Sequence, residues 1–206
     1  MGLWNRYALP RLIEFSMRQP PIMRQRGKVV PEASGRVLEI GVGSGLNLAF
    51  YDRARVEHVS GVEPSRELGL LACARARAAG LAFELIEAGA EDIPLDDASV
   101  DSVVMTYTLC TLPHVPESLA EMRRVLRPGG ALHFVEHGAA PDPGVARWQR
   151  RVEPLWKRLA GGCHLTRNAP ELLAGAGFAV ERLESMYLPG PRIATWNTWG
   201  HARRQP

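Results

Sequence analysis

Long apolar runs are the first thing missing. No stretch of the 206 residues is uninterruptedly apolar over the ~18 positions that a membrane-crossing helix needs, so no transmembrane helix is expected. The N-terminus, Met1-Gly2-Leu3-Trp4-Asn5-Arg6, shows neither the apolar core nor the small-residue cleavage site of a secretory leader, which predicts a cytoplasmic protein. Cysteine is scarce. The three, Cys73, Cys110 and Cys163, stand far apart, with no CxxC and no paired ligand spacing. That argues against a disulfide framework and against a metal site, and free thiols suit a reducing compartment. Repeats, low-complexity tracts and aromatic-interleaved basic patches are absent too. No Asp/Asn-Pro-Pro-aromatic tetrapeptide follows the fourth expected strand, so nucleic acid is not an expected partner.

Hydrophobic residues make up 46% of the chain and charged residues 23%, enough for one sizeable core and an ordinary surface. The net charge of +3 is mild. Basic residues gather in two places. Residues 1–36 carry Arg6, Arg11, Arg18, Arg24, Arg26, Lys28 and Arg36, and a later stretch carries Arg147, Arg150, Arg151, Lys157 and Arg158. Each is either a solvated face or a surface for an anionic lipid or ligand.

Residues 1–30 read as a separate N-terminal helical lid or cap. Pro10 and Pro20-Pro21 break it into short amphipathic helices with Leu9, Leu12, Ile13, Phe15 and Met17 as the apolar face. Residues 31–206 read as one domain. Strands are expected at Arg36–Ile40, His58–Val62, Ala82–Ile86, Val100–Thr106, Ala131–Glu136 and Phe178–Ser185. Helices are expected at Leu46–Asp52, Arg66–Ala79, Glu117–Leu126, Val145–Leu159 (kinked at Pro154) and Pro170–Ala176, with a turn at Pro128-Gly129-Gly130. A last strand, Arg192–Ala202, is expected to form an antiparallel edge hairpin with the sixth. Alternating strands and helices predict an α/β, Rossmann-like, mostly parallel sheet of seven strands with an antiparallel last strand and helices on both faces.

The first strand runs into Glu39-Ile40-Gly41-Val42-Gly43-Ser44-Gly45. Glycines there permit positive φ and close approach of a ligand to backbone, and a following helix N-terminus offers free N–H groups. The trio alone suits several nucleotide cofactors. Glu39 narrows the choice: a carboxylate would repel a pyrophosphate but suits the ammonium of an amino-acid ligand, which favours S-adenosylmethionine. Glu63, followed by Pro64, ends the second strand, where a carboxylate accepts ribose hydroxyls or caps the helix opening at Ser65. Thr106, Tyr107 and Leu109 follow strand four and are expected beside the methionine part of the cofactor, as is Asn47 near the loop. His137 after strand five faces the same crevice. It and Tyr107 are the candidate catalytic residues, His137 as base or as a structural hydrogen-bonding group. Cys163-His164 offers a nucleophile, though direct transfer needs none. Cys110 reads as a small apolar residue and Thr166-Arg167-Asn168 as a helix cap. Trp196, Trp199, Asn197 and Tyr187 either line an apolar acceptor pocket or pack the edge strand.

Together these segments resemble the class I S-adenosylmethionine-dependent methyltransferases, over about residues 36–137. The glycine loop resembles their first motif and Glu63 the acid of their second. Ala88-Gly89-Ala90-Glu91-Asp92-Ile93-Pro94 with Ser99-Val100-Asp101 resembles their adenine-side loop and fourth strand, and Val125-Leu126-Arg127-Pro128-Gly129-Gly130 the turn before strand five. Many relatives carry an aspartate for the adenine amino group where Gly89 stands. The resemblance therefore implies that Glu91 or main chain, beside Ala90, replaces it. A narrower resemblance runs through Phe50-Tyr51, Tyr107-Thr108-Leu109-Cys110-Thr111, Phe134-Val135-Glu136-His137 and Gly161-Gly162-Cys163-His164-Leu165-Thr166-Arg167. These are similar to the methyltransferase-like-7 group, whose mammalian members are microsomal alkyl-thiol methyltransferases with an N-terminal hydrophobic anchor. The implied function is methylation of a small acceptor, a thiol first, by a soluble relative without that anchor. A phospholipid or quinone-precursor methyltransferase making peripheral membrane contact is the second reading, and a non-catalytic cofactor-binding module the third.

Overall fold

The structure is a computed structural model, and it describes residues 9–205, with the side chains of residues 9–11 left out. The expected lid therefore lies partly outside the described residues. Pro10 is the second residue of helix α1 (Leu9–Met17), and the residues that it was expected to part from this helix lie outside the described ones. Pro20 and Pro21 do separate it from α2 (Pro20–Val29), which they open.

A sheet of seven strands follows: β1 (Gly35–Ile40), β2 (Val56–Val62), β3 (Phe83–Ile86), β4 (Val100–Thr106), β5 (Leu126–His137), β6 (Phe178–Tyr187) and β7 (Trp196–Arg204). Its order is β3-β2-β1-β4-β5-β7-β6. The pairs among β1 to β5 are parallel, and β7 is antiparallel to both β5 and β6. The expected Rossmann-like α/β sheet with an antiparallel last strand is what is found. The last strand, however, inserts between β5 and β6 rather than sitting at the edge. The outermost position falls to β6, whose exposed Glu181 and Glu184 discourage edge pairing.

Helices α3 (Arg66–Ala79), α4 (Val115–Val125), α5 (Pro143–Leu159), α6 (Ala169–Gly175) and the single turn α7 (Arg192–Thr195) complete the fold. Burial of β1 is continuous from Val37 to Ile40, as expected of a strand covered on both faces. Leu38 and Ile40 pack with Met105, Phe134, Leu119, Met122 and Leu173 on one side. Val37 packs with Val104, Val135, Trp199, Ala72, Val29 and Val30 on the other. By the two-residue period of a strand, Glu39 shares the Val37 face, toward α2.

Several expected elements differ. The helix predicted over Leu46–Asp52 is one 3-10 turn, Leu48–Phe50. Asp52 ends it by accepting from the Ala54 N–H at 2.9 Å, a local side-chain bond that competes with helix. Residues Arg192–Thr195, predicted as strand, are the helical turn α7 after Pro191, and the strand begins at Trp196. The predicted turn at Pro128-Gly130 lies inside β5 as an irregularity. Val100 pairs with Leu126 but Ser102 already with Ala131, and Gly129 supplies the positive φ of 79° that absorbs the extra residues. Helix α5 runs unbroken through Pro154.

Candidate active site

The strand order reverses between β1 and β4, so a crevice is expected outside their carboxyl ends. The glycine loop sits there, with φ of 64°, 54° and 85° at Gly41, Gly43 and Gly45. Two of the three are bare for packing reasons. A Cβ at Gly41 would lie 2.5 Å from Thr108 Cγ2, and one at Gly45 would lie 2.9 Å from the Ala72 Cα of α3. Gly43 differs: the nearest atom to its Cβ position is the Gly41 oxygen at 3.9 Å. That position opens into space a ligand can enter.

Glu63 sits beside this loop. One carboxylate oxygen accepts from the Gly43 N–H at 3.0 Å and the other from the Ser65 N–H at 2.9 Å. The cap at Ser65 is thus present, and the same carboxylate borders the open position. Burial pushes its pKa up. Pro64 is exposed next to it, while Ala90 is buried. Glu91 is folded over Gly89, where a Cβ would meet Glu91 Oε1 at 2.5 Å. The Glu91 carboxylate thus fills the space that a side chain at Gly89 would take.

A buried polar cluster joins β1, β4 and α2. Glu39, 1% exposed, accepts from the Tyr51 hydroxyl at 2.7 Å and from Asn47 Nδ2 at 3.0 Å. Each of its oxygens thus holds one protein donor, which fixes the carboxylate inside the buried cluster. Burial raises its pKa to about 7, against the pull of Tyr51 and Arg26. Asn47 also donates to the Thr106 hydroxyl at 2.9 Å. Arg26 closes the cluster from α2: its Nη1 donates to Asn47 Oδ1 at 2.8 Å and to Thr106 Oγ1 at 2.5 Å. Its guanidinium carbon lies 5.2 Å from the centre of the Tyr107 ring.

Tyr107 is held at φ 55°, a conformation that a side chain rarely adopts and that is often found at functional sites. Its N–H donates to the Val135 carbonyl at 2.8 Å and its hydroxyl to Asn197 Oδ1 at 2.7 Å. Burial pushes the Tyr107 pKa well up. The next backbone N–H groups, of Thr108 and the buried Leu109, both donate to Glu136 Oε1 at 2.8 and 3.0 Å. Ser44 receives Arg75 on its carbonyl at 2.7 Å, and its hydroxyl meets Glu14 of α1. Glu14 in turn pairs with Arg75 at 2.7 Å. The N-terminal helices thus reach the crevice at two points, Glu14 at Ser44 of the glycine loop and Arg26 at Asn47 and Thr106.

Behind Tyr107 lies a cluster that the sequence reading did not anticipate. Cys163 Sγ is 3.0 Å from His137 Nε2, and Cys110 lies with them. The bond from Cys110, then the His137 imidazole, holds the Cys163 thiol below its usual range, and the same bond together with burial pushes Cys110 up. His164 faces elsewhere, 3.3 Å from Glu153. Asn168 caps α6, as expected of the Thr166-Arg167-Asn168 segment, and accepts from Glu171 N–H at 3.5 Å. Of the aromatic candidates, Trp199 is buried in the core under Lys28. Trp196 and Tyr187 stack edge-on, centroids 4.8 Å apart. Asn197 reaches the crevice by accepting from the Tyr107 hydroxyl.

Arg26 escaped the sequence reading because a lone arginine in a basic segment looks like a solvated face. The one hint was its place on a helix that also carries Val29 toward the core.

A methyltransferase domain family model matches residues 38–134. The thiol S-methyltransferase TMT1B of Homo sapiens is 39% identical over 173 residues, covering 78% of this chain and 70% of that protein. Its Rattus norvegicus counterpart is 37% identical over 152 residues, which span 72% of this chain and 62% of the rat protein. A solved structure of a putative methyltransferase from Bacillus halodurans superposes with a TM-score of 0.71 at 16% identity, covering 89% of this chain and 99% of that one. The chain belongs to the class I S-adenosylmethionine-dependent methyltransferases, in the group that includes the TMT1B thiol S-methyltransferases.

Proposed function

We propose that this chain transfers a methyl group from S-adenosylmethionine to the sulfur of a small thiol. The cofactor fits the residues present: Gly43 is the one loop glycine whose Cβ position is open, and it is bordered by the Glu63 carboxylate. The acceptor class rests on the similarity to the TMT1B thiol S-methyltransferases.

Glu63 would accept the ribose hydroxyls, with Pro64 beside it. Gly41, Gly43, Ser44 and Gly45 would form the cradle. Ala90 and Glu91 would line the adenine side, with the Glu91 carboxylate standing in for an acidic side chain at Gly89. Asn47, Thr106, Tyr107 and Leu109 would flank the methionine part. Arg26 would take its carboxylate, a charge-assisted contact. Glu39 works from below, locking Asn47 and Tyr51. When bound, the cofactor supplies an activated methyl on a positively charged sulfur.

What remains for the protein is orientation and exclusion of water. A thiol acceptor must shed its proton, since the thiolate is the nucleophile. Tyr107 is not assigned that proton, because its hydroxyl is committed to Asn197 and its pKa is raised. His137 is not assigned it either, because its Nε2 faces Cys163. We assign no dedicated base. We read α1, bound to the glycine loop through Glu14, as a cover over the crevice.

A methylation screen with small thiols, lysophospholipids and quinol precursors tests the acceptor. S-adenosylhomocysteine formed with thiols alone supports the proposal, and turnover of only the lipid or quinol substrates overturns it. One observation favours a membrane-surface reading. Helix α5 turns Trp148 (57% exposed), Leu155 (62%) and Leu159 (52%) to solvent amid Arg147, Arg150, Arg151, Lys157 and Arg158. An apolar stripe flanked by cations suits an anionic lipid interface. Salt-sensitive co-sedimentation with anionic vesicles would support it, and equal recovery with neutral vesicles would refute it.

A further inference from the structure

We propose that Cys110, His137 and Cys163 form a binding site for a thiophilic divalent cation of the zinc class. The three ligand atoms, two sulfurs and an imidazole nitrogen, all lie within 4.8 Å of one another. They come from three separate parts of the chain: the loop after β4, the last residue of β5, and the turn after α5. A tetrahedral zinc with Zn–S near ~2.3 Å and Zn–N near ~2.0 Å requires edges of about 3.8 Å between sulfurs and about 3.5 Å from sulfur to nitrogen. The Cys163 Sγ–His137 Nε2 edge is 3.0 Å, about 0.5 Å short of that, and the two edges to Cys110 are no longer than 4.8 Å, so the ligand atoms must move apart slightly to take the ion.

The supporting shell is already built. The Trp156 indole N–H points at Cys163 Sγ, 3.3 Å away. A donor aimed at sulfur is what holds a metal-bound thiolate in place. Gly161 and Gly162, at φ 63° and 86°, make the turn that lifts Cys163 onto the end of β5. The Cys110 carbonyl accepts from the His164 N–H at 2.8 Å, tying the two cysteine loops together. Two thiolates and a neutral imidazole carry the charge that balances a dication. Sulfur and imidazole donors select zinc-like ions over magnesium or calcium. Three protein ligands leave one coordination position for water or an exogenous thiolate. The metal site stands whether or not the acceptor proposed above is a thiol. A simple disulfide pair would need only the two sulfurs and would leave the imidazole and the indole N–H without purpose.

The test uses the full chain, purified reduced and without chelator, and measures bound zinc by mass spectrometry. Stoichiometric zinc is expected in the wild type and in Cys73→Ser, whose sulfur lies on α3, outside the cluster. Replacing zinc with cobalt should give a strong near-ultraviolet thiolate-to-cobalt absorption. Cys110→Ser and Cys163→Ser should each weaken metal binding by more than ~100-fold, beyond the loss typical of a supporting residue. With zinc bound, only Cys73 should react promptly with a thiol reagent, and a chelator should release the other two. Should a serine variant not fold, the cobalt spectrum and thiol protection of the wild type decide alone. The proposal fails if zinc affinity matches that of Cys163→Ser. It fails equally if cobalt gives no thiolate absorption, or if the two thiols oxidise to a disulfide at the same rate with and without zinc.

Discussion

Replacing Arg26 with methionine probes the junction between the N-terminal helices and the cofactor crevice. Methionine keeps most of the stem of this 6% exposed residue and removes the guanidinium, which donates to Asn47 and Thr106 at 2.8 and 2.5 Å. If Arg26 takes the cofactor carboxylate, a hydrogen bond between charged groups is lost, about 1.5–3 kcal/mol. That is roughly a 10- to 150-fold weaker Kd by calorimetry. The same substitution leaves Glu39 without its cation. In the wild type the Glu39 pKa is raised from 4.5 to about 7. A carboxyl with a raised folded pKa contributes stability that is full below the unfolded value and is lost as pH rises through the folded value. For Glu39 this is a loss of roughly 3 kcal/mol between pH 4.5 and about 7. Because Arg26 holds that pKa down, Arg26→Met raises it further and extends the loss to higher pH. Urea unfolding should therefore show a gap between wild type and Arg26→Met that is larger at pH 8 than at pH 6. A gap independent of pH would refute the coupling to Glu39. An unchanged cofactor Kd in a folded variant would refute the carboxylate role.

Gly43→Val should abolish cofactor binding by calorimetry at a stability cost of about 1–2 kcal/mol from its positive φ of 54°, less than at Gly45, because its Cβ meets nothing nearer than 3.9 Å. Gly45→Val should instead destabilise by about 3 kcal/mol in urea unfolding, since it pushes against the Ala72 Cα of α3 from a positive φ. Burial lowers the His133 pKa to about 4. The unfolded chain then takes up a proton that the folded one refuses, so stability should fall by roughly 3 kcal/mol as pH drops from 6.5 to about 4. His133→Asn should flatten that limb of the acid-unfolding profile. Deleting residues 1–19 removes α1 with Glu14 but keeps α2, and should raise the acceptor KM severalfold more than it weakens cofactor binding. Equal loss of both would count against a cover.

The glycine loop, Glu63 and the βα rhythm were legible in the chain because they are local. A strand, its turn and the acid ending the next strand lie within about 25 residues of Glu39, and parallel-sheet topology then brings their carboxyl ends together. Even there, contacts within one residue's reach escaped prediction. Glu39 spends both oxygens on Tyr51 and Asn47, and Glu91 folds over Gly89. Elements whose outcome depends on packing were misread: Leu46–Asp52 shrank to one turn, and β7 moved inside the sheet. Arg26 had only the weak hint of a shared helix with Val29, and the Cys110–His137–Cys163 cluster had no local spacing to mark it. An arginine in a basic helix becomes a buried hydrogen-bonding residue only when α2 packs over β5 and β7 and its side chain reaches Thr106 at the end of β4. Two cysteines and a histidine with no shared spacing become neighbours only when β4, β5 and the turn after α5 converge. Local periodicity and turn chemistry are written in adjacent residues, whereas the meeting of distant side chains is decided by the packing of whole elements.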